Sequence, residues 1–509
     1  MPAPSWDRLI DVYLRPSSTD LRLIGYHTGS VLVVFSATGA LPLMLALADR
    51  EWAPFSGLVL MMGLGVLGGG LLRMLRPGRS SVDWRHGMTI VGAVWLIVPG
   101  LAAIPLALSG HYSGWLDAYF DAMSGVTTTG LSVVQDLDHL APSLHVWRHL
   151  LQFLGGGGIV VAFLSLYPAT GSILYHSEAR DDRILPSAGS TARFIWRISL
   201  VYAVVGIIVL WLAGALELGF SPGRALLHSF TIFTAAYSTG GFAPMSSSVG
   251  YYHSAVFEVL TGVFMVLGAT SFAIHYQAWH GSRRALLRDS EVRTYLATFA
   301  ATTSLMLVGA MVAGAYTADL AGMRRVLYQA LSAQTTTGFA TVSVGELARW
   351  RGLAFAGIGT AMALGSMASS TGGGVKALRV AITVKAMLHE VRRYVLPPHT
   401  TFTARYVQGG TQRRIQPDLA RGVMAVSLLY FALYVLGAVV GVAYGYSLDA
   451  ALFESISAAG TVGLSVGITG AGMPVPLEIV YIMAMWVGRL EFIAVFAFIG
   501  YLLTLFVGD

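Results

Sequence analysis

Long apolar runs separated by short, arginine-bearing connections set the pattern of this chain. Residues 31–48, 90–108 and 200–216 each approach the about 20 uncharged apolar residues that a helix needs to cross a hydrocarbon core. Comparable runs at about 23–48, 56–75, 87–109, 145–168, 194–216, 251–277, 295–315, 352–388, 421–446 and 474–506 predict roughly ten spans. The positive charges fall between them. Arg73, Arg76, Arg79 and Arg85 follow one run, and Arg283, Arg284, Arg288 and Arg293 follow another. Arg392, Arg393, Arg405, Arg413, Arg414 and Arg421 lie in the longest polar stretch. Such connections stay on the cytoplasmic side, and an even number of spans then predicts that both termini do too. Asp7, Arg8, Asp11, Arg15, Asp20 and Arg22 precede a first run long enough to span, which does not read as a cleavable signal.

Four of the opposite, outer connections hold semi-apolar stretches too short to cross: 116–131, 225–242, 323–339 and 448–464. Stretches of this length read as re-entrant segments. Each ends in a similar cluster. The first reads Thr127-Thr128-Thr129-Gly130-Leu131 and the third Thr335-Thr336-Thr337-Gly338-Phe339. The fourth reads Gly460-Thr461-Val462-Gly463-Leu464 and the second, the most divergent, Ser238-Thr239-Gly240-Gly241-Phe242. Nine residues before the last glycine stand Asp121, Gln329 and Glu454, but Ile232 in the second, with His228 four residues earlier. The second re-entrant helix is therefore expected to be offset or longer. The sequence predicts an all-α integral membrane protein in which span, re-entrant helix, glycine loop and span recur four times around a pore. The divisions are an N-terminal helix pair at 1–82 and repeats at 83–185, 186–290, 291–398 and 399–509.

Composition fits this reading. Hydrophobic residues make up 55% of the 509 and charged residues 11%, against about 25% charged in soluble proteins, and the mean hydropathy is +0.66. The formal charge of +6 is accounted for by the inner connections. No stretch is long enough for a soluble basic domain, which argues against nucleic acid as a partner. Cysteine is absent, so disulfides and thiolate metal sites are excluded.

Irregular backbone at membrane depth is tolerated where it is buried in protein or lines a watery cavity. Glycine puts no side chain into such a cavity, and rings of backbone carbonyls replace the hydration shell of potassium. A helix that ends at the loop directs its negative dipole end toward a cation. The loops carry no carboxylate, whose ring would point to a divalent or less selective site. The competing reading is close helix packing on small residues. One cluster would suit that reading, whereas four equivalent ones favour a pore. Candidate filter residues are Thr128, Thr129 and Gly130; Thr239, Gly240 and Gly241; Thr336, Thr337 and Gly338; and Thr461, Val462 and Gly463.

Together with Gly155-Gly156-Gly157-Gly158-Ile159-Val160, Ser370-Thr371-Gly372-Gly373-Gly374-Val375-Lys376 and Gly488-Arg489-Leu490-Glu491, these loops resemble the Trk/Ktr/HKT potassium transporters. The additional N-terminal helix pair resembles the TrkH branch. The resemblance implies that Gly130, Gly241, Gly338 and Gly463 set potassium selectivity, with potassium in the filter and no other cofactor on the chain. It further implies a homodimer in the bacterial cytoplasmic (inner) membrane and a TrkA-like nucleotide-binding ring docked on the basic inner connections. A sodium-coupled or weakly selective cation symporter is the alternative. An intramembrane enzyme using His228, Asp121 or Glu454 is a third reading.

The run from Gly365 to Gly374, including Ser366, Ser370, Thr371, Gly372 and Gly373, should break the span after the third loop. It reads as an intramembrane gate beneath the filter, or else as a kink without a gating role. Its Gly374-Val375-Lys376 ending lacks the Gly-Lys-Ser/Thr of a phosphate-binding loop. Lys376 could tether the gate or mark its cytoplasmic edge. Arg489, within the last span, is a pore-facing cation or the partner of Glu491 or Glu454. His145 and His149 have the spacing of metal ligands without a third ligand, so they read as interfacial histidines. His389-Glu390 lacks the second histidine of a zinc protease motif.

Overall fold

The computed structural model describes residues 17–76, 82–157, 188–279, 287–314, 319–350, 352–395, 403–409 and 411–506. Helices take up the apolar runs, as burial of backbone amides in hydrocarbon requires. α1 (Ser18–Ala37) starts on a capping box between Ser17 and Asp20, runs on through α2 (Ala40–Ala48), and pairs with α3 (Trp52–Arg73). α4 (Trp84–Ala107), α5 (Trp115–Val126) and α6 (Pro142–Gly157) follow. Then come α7 (Ala188–Leu216), α8 (Pro222–Tyr237), α9 (Ala255–Ala269) and α10 (Phe272–Trp279). α11 (Ser290–Val312), α12 (Leu320–Gln334), the single turn α13 (Val344–Leu347), α14 (Leu353–Leu364) and α15 (Ala377–Val395) form the next group. After a polar hairpin of β1 (Arg405–Gln408) and β2 (Thr411–Arg414) come α16 (Pro417–Ala443), α17 (Leu448–Ala459), α18 (Val475–Arg489) and α19 (Ile493–Phe506).

Six described segments are long and apolar enough to cross a membrane: Ser18–Ala48, α3, α4, Gly189–Leu216, α11 and α16. Two further runs expected to be continuous are bent. α9 and α10 meet at 102°, and α18 meets Ile493–Leu505 at 115°. The first bend falls where Met367 N–H takes the Ala269 carbonyl and Thr371 N–H the Gly268 carbonyl, so loop amides replace the next helical turn (3.2 and 3.1 Å). The second falls where Glu491 and Phe492 adopt left-handed φ of 52° and 73°. The run at 352–388 is divided into α14 and α15 by the glycine-rich stretch. Of the run at 145–168, only α6 is described. Arg79, Arg283, Arg284, Gly158, Ile159, Val160 and the N-terminal Asp7, Arg8, Asp11 and Arg15 lie outside the described residues.

The short helices α5, α8, α12 and α17 are surrounded by the longer ones. α6 packs on α8, α9 on α12, α14 on α17, and α18 back on α5, so the contacts close on themselves. α4 is enclosed by α1, α3 and α19, with 67% of its apolar window buried, whereas α7 and α16 turn most of theirs outward. Close approach at the ring depends on missing side chains. A Cβ on Gly155 of α6 would stand 1.8 Å from the Val126 carbonyl that ends α5. Gly268 and Gly488 meet the ends of α8 and α17 in the same way, 2.0 and 1.9 Å from the Tyr237 and Ala459 carbonyls. Gly155→Ala should therefore cost about 1–3 kcal/mol of stability by overpacking. Thermal unfolding of the solubilised protein reads this directly, and an unchanged melting temperature would mean that α6 can move aside.

Candidate functional site

Four helix ends share one geometry. α5, α8, α12 and α17 each stop four residues before the candidate glycine. The next-but-one residue is a threonine in the left-handed region, at φ 57°, 51°, 56° and 50° for Thr128, Thr239, Thr336 and Thr461. The residue after it folds its N–H back to the last turn: Thr129 to Ser124, Gly240 to Ala235, Thr337 to Ser332 and Val462 to Ser457, all at 2.8–2.9 Å. This is a Schellman cap, in which glycine is usual and a β-branched residue is strained. Gly130, Gly241, Gly338 and Gly463 then return to positive φ (91°, 74°, 86° and 93°). The second helix is longer than α5 and α17 but keeps the register of the others, so the expected offset does not occur.

The four loops meet in order. A Cβ on Gly130 would stand 2.3 Å from the Gly240 carbonyl oxygen, and one on Gly241 1.9 Å from that of Thr337. One on Gly338 would stand 2.0 Å from the Val462 oxygen, and one on Gly463 2.2 Å from that of Thr129. Each glycine thus faces the carbonyl just before the glycine of the next loop, and the fourth returns to the first. The twelve candidate residues are brought together as one ring, buried except for the four glycines Gly130, Gly241, Gly338 and Gly463, which are partly exposed.

The 365–374 stretch lies against the threonines of this ring. Gly373 N–H donates to Thr336 Oγ1 at 2.9 Å, and the Thr371 and Thr239 hydroxyls are 3.1 Å apart. A Cβ on Gly373 would meet Thr461 Oγ1 at 2.0 Å. Thr371 Oγ1 also reaches the Gly268 carbonyl at 2.9 Å, while Ser366 and Ser370 bond each other at 3.1 Å. The stretch begins and ends on Gly365 and Gly374 at positive φ. Lys376 is buried, and its ammonium donates to the Gly372 carbonyl, as a tether would.

Arg489 crosses from α18 to two other groups. Its guanidinium donates to the Thr371 carbonyl at 2.5 Å and to the Gly155 carbonyl of α6 at 2.7 Å. The carboxylates considered as its partner are engaged elsewhere. Glu491 pairs with Arg379 and lies 4.0 Å from Lys376. Glu454 accepts from Ser465 Oγ, Thr469 Oγ1 and the Val466 amide at 2.5, 2.8 and 3.0 Å.

On the other side of the ring, side chains fasten the loops. Asp121 accepts two bonds from Arg148 at 2.7 and 3.0 Å and one from Ser132 at 2.5 Å. Gln329 Oε1 accepts from the Thr341 amide at 3.1 Å. His228 bonds Tyr252 at 2.8 Å, so the three residues considered for catalysis sit on separate helices in structural bonds. His145 and His149 are buried rather than interfacial, because α6 packs among α8, α5 and α2, and His149 lies against Phe242. Two residues of α6 were missed in the sequence. Arg148 is fully buried, and Gln152 contacts the second loop. Polar side chains inside the 145–168 run were the available signal.

Residues 65–501 match TrkH, described as cation transport protein. An uncharacterized cation transporter of Methanocaldococcus jannaschii is 28% identical, over 94% of this chain and 96% of its own. The Trk system potassium uptake protein TrkH of Halomonas elongata is 31% identical over 74% and 77%, and that of Escherichia coli K12 is 27% identical over the same shares. The crystal structure of the potassium transporter TrkH from Vibrio parahaemolyticus superposes with a TM-score of 0.80 at 24% identity, covering 93% of this chain and 97% of that one. Transporters, not enzymes, are what it matches, and the intramembrane-enzyme reading is set aside. The chain belongs to the TrkH family of cation transport proteins.

Proposed function

We propose that this protein is the potassium-selective conducting subunit of an uptake system in the cytoplasmic membrane of a bacterium. The observation that carries the proposal is the closed succession of glycines and carbonyls, Gly130 to Gly240, Gly241 to Thr337, Gly338 to Val462 and Gly463 to Thr129. Alternating left- and right-handed residues let successive carbonyls face one side, and such oxygens replace the water around a desolvated cation. The helix C-termini behind them add negative potential. The potassium uptake proteins named among its relatives support potassium as the ion. In this reading each repeat contributes one quarter of the filter, with divisions at 83–185, 186–290, 291–398 and 399–509 after the N-terminal pair. Both termini face the cytoplasm. Inward flow draws on the membrane potential, which provides about 2.3 kcal/mol per charge per 100 mV.

Below the filter, the 365–374 loop is the gate and Arg489 its latch. Threonine hydroxyls at the ring receive the loop, and the guanidinium ties Thr371 to Gly155 across it. A second copy of the chain and a nucleotide-binding ring on the basic inner connections complete the proposed assembly.

Cation flux into proteoliposomes tests both parts. Gly463→Ser adds a Cβ 2.2 Å from the Thr129 oxygen at φ 93°, and the potassium-to-sodium flux ratio should fall. An unchanged ratio would remove the fourth loop from the filter, and equal permeability of the wild type would favour a weakly selective carrier. Arg489→Ala releases two charge-assisted bonds. If one of them biases closure, potassium flux should rise by about tenfold or more. Flux unchanged or lost in the folded variant would return Arg489 to a structural role.

A further inference from the structure

We infer that Gln152 is the positioning residue of the second loop, an amide clamp from α6 that sets the Gly240 carbonyl in the ring and thereby its share of ion selectivity. The inference rests on the proposed filter. Gln152 is fully buried. Its Nε2 donates to the Gly240 carbonyl at 2.5 Å, and its Oε1 accepts from the Phe242 amide at 3.2 Å. One side chain therefore holds the backbone on both sides of Gly241.

This clamp explains two departures of the second loop together. Loops one, three and four are fastened from their own re-entrant helices, by Asp121 to Ser132, Gln329 to Thr341 and Glu454 to Ser465. Ile232 occupies that position in α8 and has nothing to offer a backbone amide. Loops one, three and four also carry Thr129, Thr337 and Val462 before the glycine, where the second carries Gly240. A Cβ on Gly240 would stand 2.4 Å from Gln152 Cδ. The amide thus supplies the missing fastening and excludes the missing side chain.

The other spans lack such a group. Gln152 precedes Gly155 by three residues, and Gly155 packs on the end of α5. Met265 and Met485 precede Gly268 and Gly488 by the same three, and both are buried. Methionine has nearly the length of glutamine but forms neither hydrogen bond, so Gln152→Met builds the other spans' arrangement into α6. Arg148, one turn earlier on the same face, lies 4.0 Å over the Phe242 ring. The seam between loops one and two is thus held by this helix.

The test uses the full-length protein in proteoliposomes and in detergent. Gln152→Met should remain folded and conduct potassium, with the potassium-to-sodium ratio lowered by about tenfold, the equivalent of one hydrogen bond of upper ordinary strength. Should the Met variant fail to fold, Gln152→Asn is read instead, since it keeps the amide but is too short to span both atoms. A wild-type ratio in either folded variant overturns the inference. The second readout does not depend on selectivity. Gly240→Ala should lower the melting temperature less in a Gln152→Ala background than in the wild type, because the obstructing Cδ is gone. Additive losses overturn the clamp, whereas a wild type that fails to discriminate potassium, with the coupling intact, overturns only the filter.

Discussion

Everything at the centre of this protein depends on a carbonyl oxygen standing where a Cβ would be. At 1.9–2.3 Å, no side chain fits at Gly130, Gly241, Gly338 or Gly463. Contact between loops is thus made backbone to backbone, and the spacing of the ring is set by covalent geometry instead of by flexible rotamers. The surrounding helices serve that spacing. Glycines 155, 268 and 488 admit the end of a re-entrant helix against the helix that follows it, so that three of the four helix ends can approach closely. In a membrane, small residues supply such close approach because lipid exerts little hydrophobic pressure to drive helices together.

Threonine in the left-handed position is the local cost of this arrangement. Strain of this kind amounts to about 1–3 kcal/mol per residue and persists only where the surroundings over-determine it. Glycine would relieve it but would remove the hydroxyl. Thr336 accepts the Gly373 amide, and Thr239 meets Thr371, so two of these hydroxyls are contact points between ring and loop. The caps therefore shape the ring and, through Thr239 and Thr336, also present hydroxyls to the glycine-rich stretch.

The helical membrane class and the four short helices were legible in the sequence, because apolar length and repeated Thr/Gly clusters report directly on span and loop. The bends after α9 and in the last span were not. Residues 251–277 and 474–506 are apolar throughout most of their length, and hydropathy registers neither the loop amides that take the Gly268 and Ala269 carbonyls nor the left-handed turn at Glu491 and Phe492. The second loop shows the same limit at the site. Its register equals that of the others, yet Ile232, with His228 four residues earlier, made it look displaced, because the group that replaces its fastening, Gln152, lies some ninety positions earlier. Arg489 was visible as an intramembrane charge, but its two carbonyl partners are more than a hundred positions away in sequence.

The stretch beneath the ring is also connected outward, to the polar hairpin. Three consecutive residues make the connection. Ser290 Oγ accepts the Val407 amide at 2.9 Å, and Asp289 accepts the Gly409 amide at 3.0 Å. Asp289 also caps α11 through the Glu291 amide at 2.8 Å, and the Glu291 carboxylate accepts the Ala368 amide of the glycine-rich stretch at 2.5 Å. Lys385 adds a bond from α15 to Ser290 at 2.9 Å. The hairpin and the stretch thus share one helix N-terminus, where carboxylates are favoured by the dipole. Val407 of β1 and Ala368 of the stretch are therefore joined through the three consecutive residues Asp289, Ser290 and Glu291. On the opposite side, Arg489 holds the same stretch to α6. Besides its bonds to the ring and to the end of α9, the segment is therefore held by an arginine on α18 and by the acidic start of α11, which also carries the hairpin.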